Sequence, residues 1–458
     1  TSYGTLEFVG GALPTEESTQ KIFDQLDLQR ATQAYMDFMP AMSLYGIVRA
    51  QARDFGFTSS SDIAVEADFM QASENYLTGN NSTVYAFATI DLGIDGPTVV
   101  EIPVGMYGNA NDAAFKYLTD FGPTGPDLGK GGKYLFVPAD YKGDIPSEGY
   151  FVIKSNSYRI WAMMRGFDVG NGDKAVKWFE ERLIVYPLKT GPRKGNYINV
   201  SGMGANTLFP EDGSAFEMLN EIIQYEPSAL FNQELLGKLA SLGIEKGKPF
   251  NPDARMQKIF DQAAKEGVAM SRAILYKSRE KDINYWESKH WEKMFLHNTT
   301  FMKDGYPEID AQTLWHYQAI CVSPNLLSTM AGVGTAYLTS SKDNKGDYLL
   351  GDKNYKLTVP ANPPVKRFWA VTAYDPLSRS LLDVDGPITV SSLKEHVENK
   401  DGSVDMYFGP KPPKDKKLRS NWIKTDPSKG FFVVFRFYGP LDGYIQKTWV
   451  LSDFELID

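Results

Sequence analysis

Cysteine is almost missing from this chain: Cys321 is the only one in 458 residues. One thiol cannot close an intramolecular disulfide or build a thiolate metal cluster. Such low usage fits a bacterial exported protein. Histidine is nearly as scarce, with His290, His297, His316 and His396 alone. No His-Glu-x-x-His run exists, which excludes a zincin centre. His290 and His297 lie near two helical turns apart, a spacing better suited to packing or surface than to a metal. His316, between Trp315 and Tyr317, reads as a neutral, hydrogen-bonded histidine. Basic charge is also in short supply: 48 Lys and Arg stand against 57 Asp and Glu, a net charge of -9. Nucleic acid and anionic membrane surfaces are poor partners for such a chain. The one basic cluster, Lys411 to Arg419, is broken up by Pro412, Pro413 and Asp415 and reads as a solvated loop. Long apolar runs are lacking, and none approaches the roughly 18–20 residues that span a bilayer. No Gly-x-Ser-x-Gly elbow, Walker loop or Gly-x-Gly-x-x-Gly fingerprint occurs, so serine-triad and nucleotide chemistry are disfavoured. No cofactor motif is evident.

What is present is ordinary globular material: 42% hydrophobic and 23% charged residues, with 25 Tyr and 8 Trp. Helical spacing of Ile22, Phe23, Leu26, Ala34, Tyr35, Phe38 and Met42 predicts a helix interrupted at Pro40. From Asn80 the period changes to two. Strands are expected at 83–91, 98–104, 134–137, 150–153 and 159–165, followed by a helix over 174–183 behind an Asp173 N-cap. The stretch 213–340 reads as helical, with segments 215–225, 229–242, 252–279 and 311–339, the last broken by Pro324. Pro252 behind Asn251 marks a helix start, and Gly243 a helix end. Strands return at 355–359, 367–374, 404–408, 431–438 and 447–451, with sandwich-like spacing. The fold class expected is α+β. A β-rich N-terminal domain over 1–205 is followed by a helical connector over 206–340. The C-terminal part, 341–458, is an antiparallel, jelly-roll-like β-sandwich.

Three groups of residues could carry chemistry. Alternation in the strand over 159–165 puts Arg159, Trp161, Met163 and Arg165 on one face, with Tyr85 and Tyr107 on or near neighbouring strands. An Arg fork suits a carboxylate or sulfate, and aromatic rings suit a sugar. Arg436 and Trp369 form a similar cationic and aromatic set in the C-terminal part, where a buried Arg bonded to loop carbonyls is the structural alternative. Asp383 and Asp385 alternate before a Gly-Pro turn. Paired carboxylates could hold Ca²⁺ or hydrolyse a glycoside, but a polar strand end is the plainer reading. Cys321, inside Ala319-Ile320-Cys321-Val322, is a small buried hydrophobe more often than a nucleophile.

The chain also resembles a known family. Asn81-Ser82-Thr83-Val84-Tyr85, Asp91-Leu92 and Gly96-Pro97 match one end of its pattern, with Ser82 where the family carries Asp. Further matches are Phe216 to Asn220, Glu226-Pro227, Gly243-Ile244, Gly247 to Phe250, Gly346 to Gly351 and Pro363-Pro364. Phe368-Trp369, Val371 to Asp375, Asp401 to Ser403, Asn421-Trp422, Arg436, Tyr438 to Pro440 and Trp449 complete them. In this order they resemble the exported bacterial family that pairs two domains of unknown function, numbered twelve fifty-four and twelve fourteen. The resemblance implies a cleaved leader, consistent with a start at Thr1 rather than Met, and a periplasmic or secreted address. It implies no activity. The function expected is binding or hydrolysis of a small polar or saccharide-like ligand in a cleft. The alternative is a non-enzymatic envelope protein with a structural or docking role.

Overall fold

Two strands of alternating large and small side chains, Val84–Asp91 and Arg159–Gly166, pair antiparallel at the centre of the first sheet. In the computed structural model, which describes residues 1–167, 169–327 and 330–457, that sheet has six strands. Their order is Asn196–Asn199, Asp62–Glu66, Val84–Asp91, Arg159–Gly166, Met106–Asp112 and Tyr117–Phe121. One face is made of Ala86, Ala88, Ile90, Ile160, Ala162 and Met164. It packs on a four-stranded sheet of Ile184–Pro187, Thr98–Ile102, Gly132–Pro138 and Phe151–Ser155. Period two puts the intervening residues on the other face, where Tyr85, Phe87, Trp161 and Met163 lie.

That second face is covered by helices. Glu16–Asp37 and Met39–Asp54 are separated at Phe38, and Pro40 sits in the first turn of the second, where its missing N–H costs nothing. Ser214–Tyr225, Ala254–Tyr276 and Ile309–Gln318 complete the layer. Their buried Tyr35, Leu44, Phe216 and Trp315 share one core with Phe87 and Trp161. Among the described residues no helix is long and apolar enough to cross a membrane.

The C-terminal part is a sandwich. A five-stranded sheet runs Glu292–Lys293, Thr335–Ser340, Phe432–Pro440, Val365–Tyr374 and Thr389–Ser391. It faces a four-stranded sheet of Trp422–Lys424, Val404–Gly409, Asn354–Val359 and Glu455–Ile457. Val371, Phe435, Leu357 and Met406 fill the space between them. The class is α+β, with a β-rich N-terminal region and antiparallel sheets at the C-terminal end.

Several local expectations need correction. The segment 311–339 is not one broken helix. It is the helix Ile309–Gln318 and then the strand Thr335–Ser340, which enters the C-terminal sheet beside Phe432–Pro440. Gly332 and Gly334, at φ of 76° and 73°, turn the chain between them, and a side chain at Gly334 would meet the Asn325 carbonyl oxygen at 2.4 Å. Residues 447–451 form no strand: Lys447 takes φ 58° behind the short helix Asp442–Ile445. The N-cap of Ala254–Tyr276 is Asp253, whose carboxylate accepts from Met256 N, so Pro252 precedes the helix. Gly172, not Asp173, caps Asp173–Arg182.

Candidate functional site

Arg165 lies near the end of its strand, cross-strand from Tyr85 on one side and Tyr107 on the other. Its Nη2 donates to Tyr85 Oη at 2.6 Å, and Nη1 donates to Thr335 Oγ1 at 3.3 Å. Asn80 Nδ2 also donates to Tyr85 Oη, at 2.7 Å. The guanidinium stands 4.9 Å from the Tyr85 ring and 5.9 Å from that of Tyr438, within cation–π range. Nε is buried without a partner.

The five-stranded C-terminal sheet supplies the opposing wall. Arg436 is 2% exposed and lies cross-strand from Tyr337. Its Nη2 reaches across the domain boundary to the carbonyl oxygens of Thr78 at 2.8 Å and Gly79 at 3.3 Å. Tyr374 Oη donates to the same Gly79 oxygen at 2.7 Å. Arg436 Nε and Nη1, and the Tyr438 hydroxyl, are buried without partners. Burial pushes the Tyr337 and Tyr438 phenols up, so both are neutral hydroxyls.

The loop after Ile309–Gln318 closes the floor. Trp315 Nε1 holds the Cys321 carbonyl at 2.9 Å, with Cys321 itself at φ 61°. Asn111 Nδ2 and Asn109 Nδ2 donate to Val322 O at 2.8 and 3.2 Å, and Asn111 Oδ1 accepts from Val322 N at 3.1 Å. Ser323 Oγ and Asn325 Nδ2 donate to the Asp120 carboxylate at 2.6 and 3.1 Å. Burial raises Asp120 to about 6. These amide donors fix the side-chain orientations, and they leave Asn109 Oδ1 and Asn325 Oδ1 as buried acceptors without partners. Burial also pushes the Cys321 thiol up to about 12, which keeps it a poor nucleophile at neutral pH.

Two adjoining cavities open between these walls. The outer, ≈ 50 Å³, is lined by Tyr107, Asn109, Arg165, Ser323, Asn325 and Arg367 among others. The inner, ≈ 70 Å³, is lined by Asn80, Tyr85, Arg165, Tyr337 and Arg436 with apolar side chains between them. Met163, Arg165, Cys321 and Leu326 belong to both. Among the described residues no Asp or Glu lines either cavity. Neither Arg165 nor Arg436 has a carboxylate partner among them.

The residues singled out in the sequence separate here. Tyr85, Tyr107, Arg165 and Arg436 converge on the cavities. Trp161 is fully buried beneath them, stacked on Phe87 at 5.4 Å. Trp369 points into the C-terminal core on the opposite face from Arg436. Arg159 sits at the far end of its strand between the Tyr45 and Tyr225 rings, paired with Asp91 and Glu221. Asp383 and Asp385 are exposed in a loop. No cluster of three His, Cys, Asp or Glu suited to a metal occurs among the described residues. His316 is buried, and burial lowers it to about 3, so it is neutral; its Nδ1 has no partner. His297 pairs with Asp282 and Glu308 outside any helix. Asn109, Asn325, Tyr337, Tyr438 and Arg367 were missed. Tyr438 stood in a family match beside Arg436, and alternation from Arg436 would have put both on one face.

The model of a protein of unknown function, DUF1254, matches residues 62–187, and that of a second, DUF1214, matches residues 334–442. The C-terminal match thus begins at the strand Thr335–Ser340 that the sequence reading had placed in the connector. A similar solved structure is the crystal structure of the VPA0106 protein from Vibrio parahaemolyticus. It is 18% identical, with a TM-score of 0.57, over 94% of this chain and 100% of that one. That likeness establishes a shared fold. No curated protein matches this chain.

Proposed function

We propose that this chain, which belongs to the family pairing the DUF1254 and DUF1214 domains of unknown function, binds a small anion between those two domains. The observation that carries this reading is the pair Arg165 and Arg436. Both guanidiniums line one cavity, and both keep N–H donors without partners. A guanidinium stays charged at every ordinary pH. Removing such a charge from water costs several kcal/mol unless an opposite charge offsets it. The lining residues described supply hydroxyls and carbonyls, which solvate the cations without neutralising them. A carboxylate, sulfate or phosphate group would do so, and it suits the planar fork of Arg.

The test is a calorimetric titration of the full chain with acetate, succinate, sulfate and phosphate, run beside Arg165→Met. Saturable binding to the wild type that the variant loses is the expected result. Flat titrations with all four anions would remove the reading.

A second reading has one observation in its favour. Arg436 Nη2 ties two carbonyl oxygens of the N-terminal part to the C-terminal sheet. On that reading the arginines pin the domains together and bind nothing. Arg436→Met would then lower the unfolding temperature to the same extent with and without added anions.

A further inference from the structure

Resting on that reading of the cleft, we propose that the anion is a short hydroxy acid. Its carboxylate would lie on Arg165 and Arg436, and its hydroxyl, with one proton to give, would donate to Asn109 Oδ1 or Asn325 Oδ1.

The two cavities differ in what they ask of a ligand. The inner one presents donors: Arg436 Nε and Nη1 lack acceptors, and Arg165 stands at its border with Nε likewise unpaired. The outer one presents the reverse. Asn109 Oδ1 and Asn325 Oδ1 are buried acceptors without donors, and the partners of both amide NH₂ groups rule out a flipped assignment. An unsatisfied buried acceptor is as costly as an unsatisfied donor. A simple carboxylate answers only the first demand. Sulfate also lacks the second group, and hydrogen phosphate carries one O–H but no hydrocarbon stem to meet the apolar side chains of the inner wall. An amino group could donate to the amides, but an ammonium beside two guanidiniums would be repelled. A neutral hydroxyl close to the carboxylate meets both demands. The rest of the inner wall, Met70, Leu77, Met294, Trp315, Ile320 and Leu326, is apolar, so a short hydrocarbon stem is accepted and a sugar's ring of hydroxyls is not.

The experiment compares butyrate, 2-hydroxybutyrate, 3-hydroxybutyrate, sulfate and phosphate by calorimetry on the full chain at neutral pH. One hydroxy acid should bind at least about tenfold more tightly than butyrate, the margin expected when a site's polar groups would otherwise stay unpaired. Asn109→Ala or Asn325→Ala should shrink that margin, read as the ratio of hydroxy-acid to butyrate affinity within the same variant. If butyrate binds as tightly as both hydroxy acids, or sulfate or phosphate outbinds them, the hydroxy-acid assignment falls while anion binding stands. If none of the five binds, both fall. The comparison of ligands on the wild type needs no variant to fold.

Discussion

Arg159 and Arg165 stand on the same face of one strand, six residues and about 20 Å apart. Their surroundings differ in one chemical respect. Arg159 has Asp91 Oδ2 at 3.7 Å and Glu221 Oε1 at 3.5 Å, and lies between the rings of Tyr45 and Tyr225. Even its backbone N–H is held, at 3.3 Å, by Glu226. Arg165 has rings too, but its side-chain partners are the hydroxyls of Tyr85 and Thr335. The first cation is neutralised by its own chain; the second is only solvated. Residue type and strand face are the same, so the partners decide the role. At one end the strand is tied to the helix Ser214–Tyr225, and at the other it holds a charge that no carboxylate among the described residues pairs with.

The sharpest test of that contrast is binding. Arg165→Met and Arg436→Met should each weaken anion affinity by at least about thirtyfold, since truncating one partner of a buried charge pair costs ~2–5 kcal/mol. Arg159→Met should leave the affinity within about twofold, because its guanidinium reaches neither cavity. Calorimetry on the three variants decides it, and a loss in Arg159→Met equal to the others would erase the distinction between the two ends.

Stability should separate the same residues in the opposite order. Arg159→Met removes two ring contacts and the cation beside Asp91 and Glu221, although Tyr225 and Arg49 still hold those carboxylates, so urea unfolding should show a loss of ~1–2 kcal/mol. Arg165→Met, measured without anion, should leave stability unchanged or raise it, because a buried unneutralised charge is replaced by a packed thioether. Destabilisation of both by the same amount would favour the purely structural reading.

The contrast would be undone if a hidden carboxylate balanced Arg165. Register nominates Glu66, which stands opposite Tyr85. It is fully buried, and neither carboxylate oxygen has a partner. Burial, with neighbouring Glu74 adding to it, raises Glu66 to about 9 from an ordinary 4.5. Glu66 is therefore protonated at neutral pH and supplies no counter-charge. A folded-state value above the unfolded one means stability is fully present below 4.5 and is lost as pH rises through about 9. Unfolding followed from pH 5 to 9 should show that decline, at most ~1.4 kcal/mol per pH unit for one proton. Glu66→Gln should flatten it. An unchanged slope would mean that Glu66 is ionised and that the cleft is less cationic than its lining implies.

Much of this architecture was legible because strand alternation is a local signal. Period two alone puts Trp161 and Arg165 on one strand face with Tyr85 on or near a neighbouring strand, and the pairing of Val84–Asp91 with Arg159–Gly166 brings Tyr85 opposite Arg165 on that face. Pro40 marked the break at Phe38 for an equally local reason, its missing N–H. What stayed hidden depends on contacts far apart in sequence. Arg159 and Arg165 look alike until Glu221, Tyr45 and Tyr225 arrive at one and not at the other. Arg436 meets Thr78 across a sequence separation of 358 residues. The strand Thr335–Ser340 was hidden differently. Its Ala-Tyr-Leu core has no strong helical or strand bias, and only its place beside Phe432–Pro440 makes it a strand.

The smallest effects should come from single hydroxyls. Tyr85 Oη accepts from both Arg165 Nη2 and Asn80 Nδ2, so it fixes the guanidinium without touching its charge. Tyr85→Phe should lower anion affinity by about tenfold, near the lower end of the ~1.5–3 kcal/mol that one hydrogen bond to a charged group is worth. Asn80 keeps Thr83 Oγ1 at 3.1 Å as an alternative partner, which limits the cost to stability. At the other end of the strand Tyr45 Oη donates to buried Glu226 at 2.8 Å. Tyr45→Phe should show the mirror image: a stability loss of ~1–2 kcal/mol with anion affinity unchanged. If Tyr85→Phe binds as the wild type does, Arg165 is held in place by Thr335 and the surrounding rings alone, and the tyrosine opposite it is a packing residue.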